Sequence, residues 1–216
     1  MPDFLLCISF YVKEMIIEQP PAIFRKLYPG ALWRIPRERK TVYLTFDDGP
    51  VPLVTEWVVK LLADYGIKAT FFLVGDNIRK HRDVFELLLE SGHVIGNHTY
   101  NHLQGFRYSA EDYLANVDKA GAFIANNLFR PPHGHLTLKQ YRLLRQRYRI
   151  VMWDLVTRDY SKRMDGKRVF DNVVRYARNG SIITFHDSYK AEKNMKYALP
   201  RAVDWLLEQG YAFDVL

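Results

Sequence analysis

The sequence predicts an α/β fold in which about seven parallel strands close, or nearly close, into a barrel with helices outside. Three observations predict it. Apolar, β-favouring runs alternate with segments of helical period along most of the chain, glycines stand where the helices would end, and polar clusters recur just after the strand-like runs. Right-handed crossovers between parallel strands put the helices on the outside and gather reactive groups at the strand ends.

The first strand is read from Thr41 to Phe46. Val54, Trp57, Val58, Leu61, Leu62 and Tyr65 then recur at helical spacing, with Gly66 as the C-cap. Ala69 to Val74 is the second strand, Val84, Phe85, Leu88 and Leu89 mark a helix that Gly92 ends, and His93 to Gly96 is the third strand. Ser109-Ala110-Glu111-Asp112 resembles a capping box, opening a helix that Leu114, Val117, Ile124 and Leu128 continue, with a short fourth strand near Phe129. A helix from about Leu138 to Tyr148 leads into strand Arg149 to Asp154. Helix Val169 to Arg178, strand Ser181 to Phe185, helix Tyr197 to Gln209 and strand Tyr211 to Val215 complete the alternation. Residues 1–37, with Pro20-Pro21 and Pro29-Gly30, break the rhythm and read as an extension packed on the barrel, leaving 38–216 as the main domain.

The 216 residues are 48% hydrophobic and 25% charged, enough for one substantial core and contrary to disorder. The net charge of +7 is scattered, and no nucleic-acid motif accompanies it, so the excess reads as solvated surface and nucleic acid is not expected as a partner. The single cysteine, Cys7, allows no internal disulfide. Phe4 to Val12 is apolar but too short to span a bilayer, follows Asp3 where a leader has basic residues, and lacks a small-residue cleavage site. No stable membrane insertion is therefore expected; a cytoplasmic address is favoured, with an extracytoplasmic one open.

Five polar clusters fall at strand ends: Asp47-Asp48, His98 with His102, Arg130, Asp159, and His186-Asp187. Their convergence on one rim argues for a single site. Adjacent aspartates in "TFDDGP" read either as a solvated turn or as two carboxylates with different tasks, one on a metal and one moving a proton. In "HTYNH" the two imidazoles stand at i and i+4, which one helical turn would bring to the same side. With Asp48 they offer two nitrogens and one oxygen and leave room for water, the donor set of a catalytic metal centre.

Taken in order, "TFDDGP", "HTYNH", "RPPHG", "MWDLVTRDY" and "ITFHDS" resemble the five motifs of the polysaccharide deacetylase family, carbohydrate esterase family 4, whose catalytic unit is the NodB-homology domain. The resemblance runs from about Thr41 to the C-terminus. It implies a distorted (β/α) barrel and metal-dependent removal of acetyl groups, most often N-acetyl, from an acetylated carbohydrate. It also implies one divalent cation, commonly zinc or cobalt, on Asp48, His98 and His102, with Asp47 as general base, Arg130 pairing with Asp47, and His186 as general acid steadied by Asp159.

Two positions depart from the family pattern. His133 stands where a tyrosine or phenylalanine supplies a backbone N–H to the oxyanion; that backbone role survives, and the imidazole reads as a substrate contact, with an extra metal ligand as the lesser alternative because the three-ligand set is already complete. Thr184 stands where leucine lines the acetyl-methyl pocket, which implies a polar or larger acyl group, or a shifted strand whose Ile183 or Phe185 forms the apolar wall. These departures motivate one alternative, an amidohydrolase acting on a non-sugar amide; a second, a sugar-binding module that has lost catalysis, is weakened by the presence of every expected ligand and proton-transfer residue. His81, His93 and His135 read as surface or structural residues, and Trp153 as core.

Overall fold

The computed structural model describes residues 18–216. The apolar stretch Phe4 to Val12 lies outside the described residues. Eight short strands are present: β1 (Thr41–Asp47), β2 (Thr70–Leu73), β3 (Val94–Asn97), β4 (Leu128–Phe129), β5 (Arg149–Ile150), β6 (Leu155–Val156), β7 (Ile182–His186) and β8 (Ala212–Asp214). The helices are α1 (Ala22–Leu27), α2 (Val54–Asp64), α3 (Gly75–Lys80), α4 (Arg82–Glu90), α5 (Ala110–Gly121), α6 (Leu138–Leu144), α7 (Gly166–Tyr176) and α8 (Glu192–Glu208). Seven strands follow one path, β5-β4-β3-β2-β1-β7-β6, and β8 pairs with the start of β1. All these pairings are parallel.

The period of two along each strand sorts residues between two layers. Val42, Leu44 and Phe46 of β1, Phe71 and Leu73 of β2, and Ile183 and Phe185 of β7 belong to the largest apolar cluster, which they share with Val58 and Leu62 of α2 and Leu199 and Val203 of α8. Tyr43, Phe72 and Ile182, each one residue out of phase with these, meet Leu128 and Val151 in a separate cluster inside the barrel. Thr45, Asp47, Thr184 and His186 therefore share the inner face with Tyr43 and Ile182. Each large side chain buried in this way contributes roughly 1.5–3 kcal/mol.

The structure departs from the sequence reading at identifiable places. The helix opened by Ser109 ends at Gly121, and Leu128 belongs to β4. The run Arg149 to Asp154 is not one strand: β5 ends at Ile150 beside β4, and β6 begins at Leu155 beside β7. The sheet's gap falls inside this apolar run, and Asp154, fully buried, anchors the crossing by accepting hydrogen bonds from Arg25, Arg178 and Ser181. Helix α3 is short, polar and without apolar period, so no pattern announced it. Helix α8 starts five residues before Tyr197 and holds Pro200 in its interior, although proline favours the first turn.

Residues before β1 pack alongside the sheet. Leu32 accepts from Met152 N and donates to Ile150 O, each at 2.8 Å, and Ile35 N donates to Gly180 O at 2.8 Å. Residues 32–35 thus link β5, at one edge of the sheet, to the residues that lead into β7. Among the described residues no helix is long and apolar enough to cross a membrane.

Candidate active site and metal centre

The polar residues expected at one rim do meet there. Asp47, Asp48, His98, His102, His133, Thr184 and His186 line one cleft of about 520 Å³. Parallel register sets Asp47 beside His186 and Thr45 beside Thr184.

Asp48 ends the first strand's excursion into the cleft with φ 84°. Its carbonyl accepts from Asn77 Nδ2 at 2.8 Å. The turn is braced from beneath by Asp187, which is fully buried and accepts from Gly49 N at 3.1 Å and from the Thr55 hydroxyl at 2.6 Å. A Cβ on Gly49 would stand 2.1 Å from Asp187 Oδ2, so only glycine fits between brace and turn. Burial pushes the Asp187 carboxyl up to about 8, with the nearby Asp48 adding to the effect.

His98 and His102 do converge, but not on a helical turn. The segment between them is irregular, and Thr99 and His102 have φ of 64° and 55°. Side chains hold this shape: Thr99 N donates to Asn97 Oδ1 at 2.8 Å, Tyr100 N to Asn116 Oδ1 at 2.8 Å, and Leu103 N to Thr99 Oγ1 at 3.0 Å. Four of the six non-glycine residues with positive φ, Asp48, His102, His133 and Arg158, line the cleft. Each such conformation costs on the order of 1–3 kcal/mol, so strain is concentrated where the polar groups meet.

One ligand atom from each of Asp48, His98 and His102 lies within 4.8 Å of the others. Asp48 Oδ1 is 3.1 Å from His102 Nε2 and 3.8 Å from His98 Nε2. His98 Nδ1 is 2.8 Å from the carbonyl oxygen of Arg130. A carbonyl only accepts, so Nδ1 carries the proton and Nε2 presents its lone pair to the cluster. Burial pushes the His98 pKa down to about 4, which keeps the ring neutral as a ligand must be. Burial would raise the Asp48 carboxyl, but the hydrogen bond to His102 and the nearby His186 and His98 hold it well below the usual range. The donor set therefore fits a divalent cation.

Arg130, fully buried, donates from Nη1 to Asp47 Oδ1 at 2.7 Å and to Thr45 Oγ1 at 2.8 Å, and from Nη2 to Met152 O at 2.9 Å. Its guanidinium lies 4.2 Å from the centre of the Phe72 ring. Thr184 lines the cleft, yet its hydroxyl sits 3.2 Å from Thr45 Oγ1 in this inner network. The alternative of a shifted strand fails, because Ile183 and Phe185 pack outward against the helices.

His186 Nδ1 is 2.8 Å from Asp159 Oδ1, and His186 N donates to Asp159 Oδ2 at 2.7 Å. Burial alone would lower the His186 pKa, but Asp159, aided by Asp48 and Asp47, pushes it up to about 9. Tyr160 packs edge-on to His186 with ring centres 4.7 Å apart. His133 is exposed and meets the His102 ring at 4.9 Å.

Among the other histidines His93 is structural, as read above, and His135 departs from that reading. His93 is buried, accepts from Ala69 N at 3.2 Å and packs on Phe71. His135 lines the cleft, and so does Trp153, which is half-buried and not core. Asn77, Asn97, Asn116 and Thr45 shape the site and were not singled out in the sequence, whereas Asp187 was. Asp187 stands next to His186 in "ITFHDS", in the polar cluster that ends its strand.

The chain is similar to known proteins in sequence and in fold. The family model described as polysaccharide deacetylase matches residues 34–149. A peptidoglycan-N-acetylglucosamine deacetylase of Bacillus cereus is 31% identical over 189 residues, covering 84% of this chain and 88% of that protein. The peptidoglycan-N-acetylmuramic acid deacetylase PdaC of Bacillus subtilis is 29% identical over 80% of this chain, which spans only 37% of PdaC. The crystal structure of the peptidoglycan N-acetylglucosamine deacetylase Bc1960 superposes with a TM-score of 0.84 at 28% identity, covering 91% of this chain and 95% of that one.

Proposed function

The chain belongs to the polysaccharide deacetylase family, and from that premise we propose that it hydrolyses acetyl groups, chiefly N-acetyl, from an acetylated carbohydrate and releases acetate. Residues 38–216 form the catalytic domain in this reading, and those before them an extension. The observation that carries it is the arrangement of two opposite ion pairs, Arg130 with Asp47 and His186 with Asp159, in one cleft with the Asp48, His98 and His102 cluster.

Asp48, His98 and His102 would hold one divalent cation, and zinc suits a set of two nitrogens and one oxygen. Such a cation supplies Lewis acidity, activating water and polarising the acyl carbonyl. Asp47 accepts the proton of the attacking water. Its Oδ1 is occupied by Arg130, which fixes the carboxylate and leaves Oδ2 for that proton. His186 gives the proton to the leaving nitrogen as the carbon–nitrogen bond breaks, so that amide and water become acetate and amine. With Nδ1 turned to Asp159, Nε2 is the donating atom, and its raised pKa keeps that proton on at neutral pH. The backbone N–H of His133 is available to the oxyanion, and Thr184 lines the acyl end of the cleft.

Acetate release from a panel of acetylated oligosaccharides, measured with zinc- and cobalt-loaded protein, tests this function. Release from N-acetylglucosamine oligomers is expected. Release only from non-sugar amides would establish the amidohydrolase alternative, and sugar binding without release would establish the binding module.

A further inference from the structure

One wall of the cleft comes from outside the sheet. Pro20, Pro21, Phe24, Tyr28 and Trp33 line the same cleft as the Asp48, His98 and His102 cluster. This segment is fastened to the barrel along its length. Glu18 O accepts from Val156 N at 2.9 Å, and Glu18 Oε1 pairs with Arg158 Nη1 at 2.6 Å. Arg25 Nη2 reaches the fully buried Asp154 at 2.8 Å, and the Tyr28 hydroxyl donates to Leu136 O at 2.6 Å. A wall tied at four points keeps its shape when a ligand arrives.

Its chemistry differs from that of the metal-ligand cluster. Prolines and aromatic rings face a cleft otherwise rich in imidazole and carboxylate. Phe24 is half-buried, and among the described residues it belongs to none of the apolar clusters. With Pro20, Pro21, Tyr28 and Trp33 it makes a continuous apolar wall of the cleft, the kind of lining that receives a ligand. A pyranose ring offers a flat C–H face to an aromatic ring while its hydroxyls stay hydrated, and a cleft of about 520 Å³ exceeds what one acetamido sugar fills.

We propose that the segment Glu18–Trp33 forms a binding subsite in which Phe24 stacks the sugar unit next to the one being deacetylated. The protein then prefers an oligosaccharide chain to a single acetamido sugar. The inference rests on the carbohydrate reading of the cleft. Phe24 selects substrate here and is not a catalytic residue.

The test compares kcat/KM of the metal-loaded full chain on tetra-N-acetylchitotetraose and on N-acetylglucosamine, with calorimetric binding of the tetrasaccharide alongside. Phe24→Leu keeps apolar volume and removes the flat ring; Phe24→Tyr restores the ring. The ratio of tetrasaccharide to monosaccharide kcat/KM should fall about threefold to tenfold in the leucine variant, mainly through KM, and recover in the tyrosine variant. An unchanged ratio, or a wild type without tetrasaccharide preference, overturns the subsite while deacetylation stands. Tetrasaccharide binding weakened by Phe24→Leu without any acetate release would keep the subsite and overturn deacetylation. Absence of both binding and release overturns both.

Discussion

Asp47 and His186 are register partners on the inner face of the β1–β7 pair, and each is fixed by its own buried counter-ion, Arg130 at 2.7 Å and Asp159 at 2.8 Å. Neighbouring strands stand about 4.8 Å apart. A proton acceptor and a proton donor are thereby mounted side by side, with the environment of each set separately. Four predictions follow from this site.

His98→Ala should remove about one equivalent of divalent metal, because a three-ligand centre that loses a neutral imidazole loses most of its affinity. Elemental analysis of wild type and variant after dialysis measures this. Full occupancy in the variant would disprove the ligand assignment.

Asp47→Asn should keep the metal and lower kcat on the order of a hundredfold or more, since an amide does not take the water's proton. Steady-state acetate release, with metal content measured on the same samples, separates base from ligand. A kcat near that of the wild type would make Asp47 a purely structural partner of Arg130.

Asp159→Asn should move the alkaline limb of kcat/KM toward lower pH. The sign follows from the charge: His186 acts protonated, Asp159 helps to push its pKa up to about 9, and a neutral amide withdraws that help. Activity is lost as pH rises through the His186 pKa, so a lower pKa brings the loss earlier. A pH profile with an unmoved alkaline limb would refute the role given to Asp159.

Thr184→Val keeps the shape of the side chain and removes the hydroxyl that meets Thr45 Oγ1 at 3.2 Å. Loss of this buried hydrogen bond should cost about 1 kcal/mol in urea-induced unfolding. Unchanged stability would mean that Thr184 contributes nothing to holding Thr45, and through it Arg130.

The sequence by itself determined the parallel α/β plan. Val42, Leu44 and Phe46 alternate with Tyr43, Thr45 and Asp47, and this period of two is a property of neighbouring residues, independent of what they later touch. For the same reason it determined that polar groups end the strands and converge. What only the tertiary structure decided depends on partners far along the chain. The tautomer of His98 is fixed by the carbonyl of Arg130, the turn bearing Asp48 is braced by Asp187, and β5 is linked through residues 32–35 to the residues before β7. The spacing in "HTYNH" suggested a helix, whereas Asn97 and Asn116 hold His98 and His102 together through left-handed turns. Local propensity extends over a few residues, while these positions are set by hydrogen bonds and ion pairs that exist only once the barrel has brought its strand ends together.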